Sequence, residues 1–270
     1  MKRNAIVFLN IFISIMMALG VVTYAQGQRS VAMNAAEESF EQATEVVSGI
    51  ADNYLSESEA VCSNWASYIN SKAMTMPEAM QYLTLARDQE GVYAQILWAD
   101  TCTGLSREPS VAFPDKYEVD YSDRREQLFS GWTRERELYV TPRFTNNVTG
   151  AYAVAFCKKI QLLDDDGLMR DAILMRVIPN TQLASRWVFP AVFAGSSVGI
   201  IDDSGRYILK PDLMKNEDFF DFIYSYNRQE IDPAALQQQF RSGECGHFFA
   251  KNGAGVECIW SYKRLAANKS

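Results

Sequence analysis

The chain has 270 residues, of which 48% are hydrophobic, and a formal net charge of −7. This composition is typical of a globular protein of one or two domains. The acidic balance argues against a nucleic-acid-binding protein, because phosphate contacts need clustered Lys and Arg. The single histidine, His247, argues against a Ser-His-Asp triad and a multi-histidine metal site. We therefore expect no metal, no cofactor and no nucleic-acid partner.

An apolar stretch at residues 5–25 follows Lys2 and Arg3, and its only polar amide is Asn10. About 20 apolar residues cross a bilayer as a helix, and the basic flank places the N-terminus in the cytoplasm. Residues 1–27 are therefore predicted to form a cytoplasmic stub and a membrane anchor. A cleaved signal peptide is the alternative, although its apolar core is usually about 7 to 15 residues. In both cases the following residues lie outside the cytoplasm.

Residues 28–74 are predicted to form a long stalk helix. Apolar side chains recur there at alternating steps of four and three, which is typical of a heptad seam. The seam consists of Ala36, Phe40, Ala43, Val47, Ile50, Tyr54, Val61, Trp65 and Tyr68. It packs either along the chain's own domains or against the same helix of a second subunit, so we expect a homodimer.

Residues 75–194 combine helical segments with strands joined by short turns, beginning with a helix from Pro77 and the strand YAQILWAD. Thr101–Ser106 is predicted to be a turn. The segment SVAFPDKYEVDYSD that follows is predicted to be an irregular connection that crosses the domain. A basic helix, RREQLFSGWTR, and the strands ELYVTPRF, AYAVAFCKKI and DAILMRVI follow. This α+β pattern predicts a single antiparallel sheet with helices on one face.

Residues 195–270 repeat the pattern on a smaller scale. The strands VGIID and RYILKP precede two helices, NEDFFDFIYSYN and DPAALQQQFRSG, and a closing hairpin. The hairpin is flanked by Cys245 and Cys258, two of five cysteines that form no CxxC pair. Either a cross-strand disulfide joins them in an oxidising compartment, or both are small buried residues on adjacent strands.

This order of elements resembles a double Cache sensor domain of bacterial transmembrane receptors. The features that carry the resemblance are the helix with Asp123-Arg124-Arg125, the strand LYVTPRF, the turn Val148-Thr149-Gly150, the strand AYAVAFCKKI and the segment VGIIDDSGRYILKP. The resemblance covers roughly residues 28–268. It implies a long helix followed by two PAS-like antiparallel sheets, of which the membrane-distal one (75–194) binds ligand and the other (195–270) is membrane-proximal.

The resemblance also implies a ligand pocket on the distal sheet. Our candidates are Trp98, Asp100, Tyr121, Arg124, Arg125, Trp132, Tyr139, Thr141, Tyr152 and Arg176. Core packing is the alternative for the aromatic residues, and a solvated helix face is the alternative for Arg124 and Arg125. Amino-acid-binding members carry an Asp on the last distal strand to hold the ligand's amine. Arg176 in that region would repel an amine, so it favours an anionic ligand such as a carboxylate.

The function implied is that of an extracytoplasmic small-molecule sensor. Ligand occupancy would pass through the stalk to a cytoplasmic output module, with a histidine kinase or a diguanylate cyclase favoured over a chemotaxis module. We interpret the chain, which ends at Ser270, as the sensory half of a longer protein, without catalytic activity of its own. Two alternatives remain open: a ligand-free dimerisation ectodomain, and an extracytoplasmic hydrolase, for which His247 lies on an unpromising strand as a base.

Overall fold

The computed structural model describes residues 2–86, 88–111, 116–130, 132, 138–185, 196–211, 214–228, 230–242 and 245–265, and side chains from residue 31 onward except residue 32. Helix α1 spans Lys2–Lys72 without a break, which corresponds to a length on the order of 100 Å. It contains the predicted stalk and the backbone of the predicted anchor at 5–25, whose side chains lie outside the described ones. Within the described part of the chain, no helix has the length and apolar character needed to cross a membrane.

Five shorter helices and eleven strands follow α1 in the described ranges. The helices are α2 (Met76–Leu85), α3 (Arg125–Phe129), α4 (Asn180–Ser185), α5 (Phe219–Asn227) and α6 (Pro233–Ser242), and a 3-10 turn at Ser122–Arg124 precedes α3. The strands are β1 (Tyr93–Trp98), β2 (Thr103–Arg107), β3 (Tyr117–Asp120), β4 (Leu138–Val140), β5 (Phe144–Thr145), β6 (Tyr152–Leu163), β7 (Met169–Pro179), β8 (Ile200–Ile201), β9 (Tyr207–Leu209), β10 (Cys245–Lys251) and β11 (Glu257–Lys263). The predicted α+β class is confirmed.

The first unit, residues 75–185, contains a seven-stranded antiparallel sheet in the order β3-β2-β1-β7-β6-β4, with β5 also paired to β6. The prediction of a turn and an irregular segment at β2 and β3 is wrong, because these two strands form one edge of the sheet. Gly104 permits this pairing, since a Cβ at that position would lie 1.8 Å from the Ile96 carbonyl oxygen. A side chain there would therefore separate β2 from β1.

Helix α1 packs across one face of this sheet, which we call the inner face. Its buried residues Ala51, Leu55, Cys62, Trp65 and Ile69 lie in the same core as large side chains of β6 and β7. The contact follows a helical stripe and departs from the predicted seam, since two seam residues, Ile50 and Tyr68, are 37% and 42% exposed. The stalk therefore packs along its own domain, and the homodimer stays a prediction.

A buried ion pair joins α1 to the centre of the sheet. The Arg176 guanidinium on β7 donates to both carboxylate oxygens of Asp88 (2.8 and 2.7 Å) and to the Ser58 hydroxyl of α1 (2.9 Å). The two charged side chains are only 2% and 3% exposed. Burial alone would lower the pKa of Arg176, but the hydrogen bonds and charge of Asp88 outweigh it and raise that pKa. Arg176 therefore stabilises the contact between the inner face of the sheet and α1.

The second unit, residues 196–265, contains two separate two-stranded sheets, β8–β9 and β10–β11. Helices α5 and α6 pack on β10–β11 through an aromatic core that includes Phe219, Phe220, Phe222 and the half-buried Trp260. On the opposite side β10–β11 contacts α1, where Lys263 pairs with Glu45. The same helix therefore contacts both units.

The structure excludes one of the two alternatives for Cys245 and Cys258, the cross-strand disulfide. The register of the β10–β11 hairpin places Cys245 opposite Lys263 and Cys258 opposite Ala250. Five residue positions therefore separate the two cysteines along the hairpin, or roughly 17 Å at 3.4 Å per residue. A disulfide requires Cα atoms less than about 7 Å apart. All five cysteines are free thiols.

Replacing Asp88 by Asn should strongly destabilise the protein, because it leaves the Arg176 charge buried without a counter-charge. Breaking a buried pair from one side costs about 3–5 kcal/mol. The matched control is Asp100→Asn, which breaks the more exposed pair between Arg170 and Asp100 (34% and 63% exposed) and should cost less than about 1 kcal/mol. Urea unfolding curves measure both values. Equal losses in the two variants would contradict the assigned role of Arg176.

Alkylation by iodoacetamide at pH 8 should modify Cys245 well before Cys62 or Cys157. Cys245 is exposed, whereas burial raises the pKa of Cys62 to about 12 and the pKa of Cys157 well above its ordinary value. Only the thiolate reacts, so the buried thiols should become reactive only when the protein unfolds. Mass spectrometry of timed samples, with and without urea, measures the order. Early labelling of Cys62 in the native protein would show that α1 leaves the sheet.

Candidate functional site

The outer face of the first sheet, opposite α1, has a floor of small side chains. Ala153, Ala155 and Cys157 alternate along β6 with the larger residues that face α1. The 3-10 turn and α3 lie over this floor and contribute Tyr121 and Leu128, both 0% exposed. The small floor residues and the side chains above them form one buried cluster on this face of the sheet.

Three buried polar side chains meet on this outer face. Gln95 of β1, Ser106 of β2 and Asn146 after β5 are each 0% exposed. The Gln95 amide nitrogen donates to the Ser106 hydroxyl (3.1 Å) and to the Asn146 side-chain oxygen (3.3 Å). The Asn146 oxygen also accepts from the Val148 backbone nitrogen at 2.9 Å. Pairing of β1 with β2 and the turn after β5 therefore bring two amides into contact.

The two amides keep one acceptor and one donor unused. Among the described residues, Gln95 Oε1 and Asn146 Nδ2 have no hydrogen-bond partner. Each buried polar atom left in this state costs about 1–3 kcal/mol, and native proteins rarely tolerate two side by side without a reason. A small molecule that offers both a donor and an acceptor would satisfy the pair.

Tyr121 and Arg124 border this amide pair. The Tyr121 hydroxyl accepts from the Asn147 backbone nitrogen (3.2 Å), and its ring meets Phe144 edge-on at 5.6 Å between centroids. Burial raises the pKa of Tyr121, so the hydroxyl stays neutral. The Arg124 guanidinium donates to the Thr145 carbonyl (3.3 Å) and remains 35% exposed. It therefore stands at the rim of the site with part of its charge in solvent.

Three further predicted residues lie on the same face. Trp132 and Tyr139 stack at 5.5 Å between ring centroids, and Lys159 lies 5.2 Å from the Trp132 ring. The buried Thr141 hydroxyl accepts from the Ala155 backbone nitrogen at 2.9 Å. Thr141 thus holds the chain between β4 and β5 against β6, while the aromatic pair forms a wall beside the small-residue floor.

The structure places Trp98, Asp100 and Arg125 away from the amide pair. Trp98 packs against the α1 core beneath the Arg170 guanidinium (4.6 Å to the ring centroid), and Asp100 binds Arg170 at 2.6 Å. Arg125 donates to the Asp100 backbone oxygen at 2.9 Å. These side chains stabilise the end of the sheet near the β1–β2 turn, and their prediction as ligand contacts is not supported by their position.

Tyr152 and Arg176 also lie outside the site. Tyr152 is 54% exposed, with the Arg143 guanidinium 4.0 Å from its ring centroid. Arg176 belongs to the inner face, because its neighbours Leu174 and Ile178 point toward α1. His247, predicted to be structural, lies between α1 and β10 with its Nδ1 3.3 Å from Glu41. Arg176 therefore lies on the opposite face of the sheet from the Gln95–Asn146 pair.

The residues that sequence reasoning missed are Gln95, Ser106 and Asn146. Gln95 could have been found, because it is the one polar residue inside the buried strand YAQILW, and a polar residue within such a run needs a partner. Asn146 lies in a turn-forming segment, and its burial depends on how β5 meets β6. Its role was therefore visible only in the structure.

The fold is shared with sensory domains of known structure. The periplasmic sensory domain of the Campylobacter jejuni chemoreceptor Tlp1 matches with 10% identity and a TM-score of 0.56, over 88% of this chain and 98% of that one. The ligand-binding domain of the Pseudomonas aeruginosa amino acid chemoreceptor PctB, in complex with L-Arg, matches with 14% identity and a TM-score of 0.55, over 84% and 87%. The extracellular domain of the proposed histidine kinase rpHK1S-Z16 matches with 14% identity and a TM-score of 0.56, over 85% and 90%.

No protein-family profile and no curated protein matches the sequence. The chain nevertheless spans most of each of these structural neighbours. The predicted resemblance to Cache-type sensory domains is therefore confirmed at the level of the fold.

Replacing Gln95 by Met removes a buried acceptor that has no partner among the described residues, together with the two hydrogen bonds that its nitrogen donates to Ser106 and Asn146. Because the first change offsets much of the second, the free energy of unfolding should change by less than about 1 kcal/mol. The control, Thr141→Val, removes a satisfied buried hydroxyl that accepts from Ala155 and should cost about 1–3 kcal/mol. Urea unfolding compares the two variants. A loss at Gln95 as large as that at Thr141 would mean that the amide serves the fold alone.

Proposed function

We propose that the chain is a ligand-sensing module outside the cytoplasm, and that a small polar molecule binds on the outer face of the first sheet. The observation that carries the proposal is that Gln95 Oε1 and Asn146 Nδ2, both fully buried on the outer face of the sheet, have no hydrogen-bond partner among the described residues. The shared fold with sensory domains supports it, and one of those domains is a complex with L-Arg.

The ligand we propose carries at least one hydrogen-bond donor and one acceptor. The preference for a carboxylate depended on Arg176, whose charge is taken up by Asp88 on the inner face. Arg124 is the one predicted arginine that stays at the rim of the site, so a negatively charged group could bind there but is not required. The Trp132–Tyr139 wall offers a flat apolar surface to the rest of the molecule.

A route from this site to α1 supports a sensing role. Gln95 lies opposite Met175 in the β1–β7 register, and Ala94 lies opposite Arg176. A shift of β1 on ligand binding would therefore move the strand that holds Ser58 of α1 through Arg176. Ligand biases such an equilibrium only by its difference in affinity between the two arrangements. Membrane anchoring at residues 5–25, a homodimer and an output module of the histidine kinase or diguanylate cyclase type complete the proposal.

A ligand-free dimerisation ectodomain is the second candidate, and one observation favours it. Val46 and Ile50 of α1 remain 60% and 37% exposed, one helical turn apart on the same side. Such apolar side chains suit contact with a second copy of the helix. In that function the two unused amide atoms have no role.

A thermal-shift screen against carboxylates, amino acids and purines tests the sensing proposal. We expect one class to raise the Tm, because a ligand at 100 times its Kd adds about 2.7 kcal/mol, or roughly 5–10 °C for a domain of this size. Gln95→Met and Arg124→Gln should reduce the shift, whereas the control Arg125→Gln should preserve it. The proposal fails if no class stabilises the protein, or if Gln95→Met keeps the full shift.

A further inference from the structure

A cavity of about 1050 Å³ lies between α1, β4 and the second unit. Its lining includes Tyr139 of the aromatic wall described above but neither Gln95 nor Asn146. One wall is the α1 stripe of Val47, Ala51 and Leu55. The opposite wall is aromatic and includes Phe240 and Trp260. Ligand pockets in proteins usually enclose about 300–1,000 Å³, so this space suits a molecule larger than an amino acid.

The cavity occupies a break in the second sheet. In the first unit, the first strand, β1, pairs with the last strand, β7, over six residue pairs. In the second unit, the described strands pair only within the hairpins β8–β9 and β10–β11. Residues 198–201 around β8 and 258–265 around β11 both line the cavity. The space therefore lies where pairing of the first strand with the last is missing.

Basic residues gather at one end of this cavity. Arg241, Lys263 and Arg264 line it, and the Arg264 guanidinium lies 3.4 Å from the Arg241 backbone oxygen. Lys263 also binds Glu45 of α1. The acidic side chain that α1 contributes to the lining, Glu59, is 14 residues beyond Glu45, or roughly 21 Å along the helix. The basic end is therefore well separated from Glu59, and the charge of Lys263 there is shared with Glu45. The other acidic residues of the lining, Asp202 and Asp203, belong to the β8–β9 turn.

A hydroxyl without a partner lies on the strand that carries this basic end. Within the described residues, the buried Ser261 Oγ has no hydrogen-bond partner, and Ser261 lines the cavity. Ser261 and Lys263 are two positions apart on β11, so their side chains point to the same side of the strand. A hydroxyl donor beside cationic groups is suited to bind a carboxylate.

We propose that this cavity binds an amphipathic carboxylate, a molecule with an apolar chain and one carboxylate head. The chain lies between the α1 stripe and the aromatic wall, and the head lies against Arg241, Lys263 and Arg264, with Ser261 as a donor. This site goes beyond the proposed sensing of a polar molecule by the first unit, and it does not depend on that proposal.

The test uses the full 270-residue chain in phosphatidylcholine nanodiscs and a fatty acid that carries a photoactivatable diazirine. We expect mass spectrometry to find the label in peptides that contain residues 47–59 and 258–265, and excess laurate to displace it. Dodecanol, which has the same chain without the carboxylate, should compete about tenfold less well, the equivalent of about 1.4 kcal/mol. Label confined to residues 5–25, or equal competition by dodecanol, overturns the proposal.

Matched variants separate this site from the rest of the protein. Val47→Phe should block labelling by filling the cavity, whereas Val46→Phe changes a side chain that is 60% exposed and should leave labelling intact. Arg241→Gln combined with Arg264→Gln should weaken laurate competition about tenfold, unlike the control Arg228→Gln, whose residue does not line the cavity. Unchanged labelling in Val47→Phe, or unchanged laurate competition in the double arginine variant, overturns the proposal.

Failure of the photolabelling experiment can be distinguished from failure of the sensing proposal. Gln95→Met should leave labelling intact, because Gln95 lies on the outer face of the first sheet. A folded Val47→Phe protein should conversely keep any thermal shift that a polar ligand produces. Loss of labelling in Gln95→Met would show that the label reports on the first unit and would overturn the second site.

Discussion

The ion pair between Arg176 and Asp88 is the constraint on which the arrangement of the first unit depends. Two charges that are almost fully removed from water each carry a desolvation cost of several kcal/mol, so they are tolerated only in contact with each other. Arg176 belongs to the central strand β7, Asp88 to the segment before β1, and the third partner, Ser58, to α1. The guanidinium of Arg176 thus links β7 both to Asp88 and to Ser58 of α1. The position of α1 on the sheet is therefore fixed by polar contacts as well as by apolar packing.

The two faces of that sheet consequently have different properties. On the inner face, large side chains pack against α1 and the charged group is satisfied by its partners. On the outer face, the floor is made of small residues, and two buried amide atoms have no hydrogen-bond partner in the described part of the chain. Unsatisfied polar groups in an otherwise well-packed protein concentrate where a ligand or a partner supplies the missing contact. The inner face, whose polar groups are satisfied, thus holds α1, and the outer face, which carries the unsatisfied amide atoms, is suited to bind a small molecule.

Much of the fold was predictable from the sequence, but little of the site was. The alternation in β6 predicts a strand with one buried face, and the continuous apolar run of β7 predicts a strand buried on both faces. The sequence does not predict strands β2 and β3, because they are short and partly polar, β3 lies at the edge of the sheet, and β2 contains Gly104. The pairing of Arg176 with Asp88, 88 positions apart, has no local signature, so its charge was assigned to a ligand. The sequence also left the disulfide between Cys245 and Cys258 undecided, because the register of a hairpin depends on its turn geometry.

Helix α1 has a mechanical consequence for how a signal could travel. Polar contacts lie along it, and three of them are Glu41 with His247, Glu45 with Lys263, and Ser58 with Arg176. Each residue of an α-helix advances about 1.5 Å and turns about 100°, so a one-residue screw motion would break all three contacts together. A piston-like slide of less than one residue, or a small tilt, would only stretch them. These contacts therefore oppose rotation of α1 about its axis but allow small displacements along the axis.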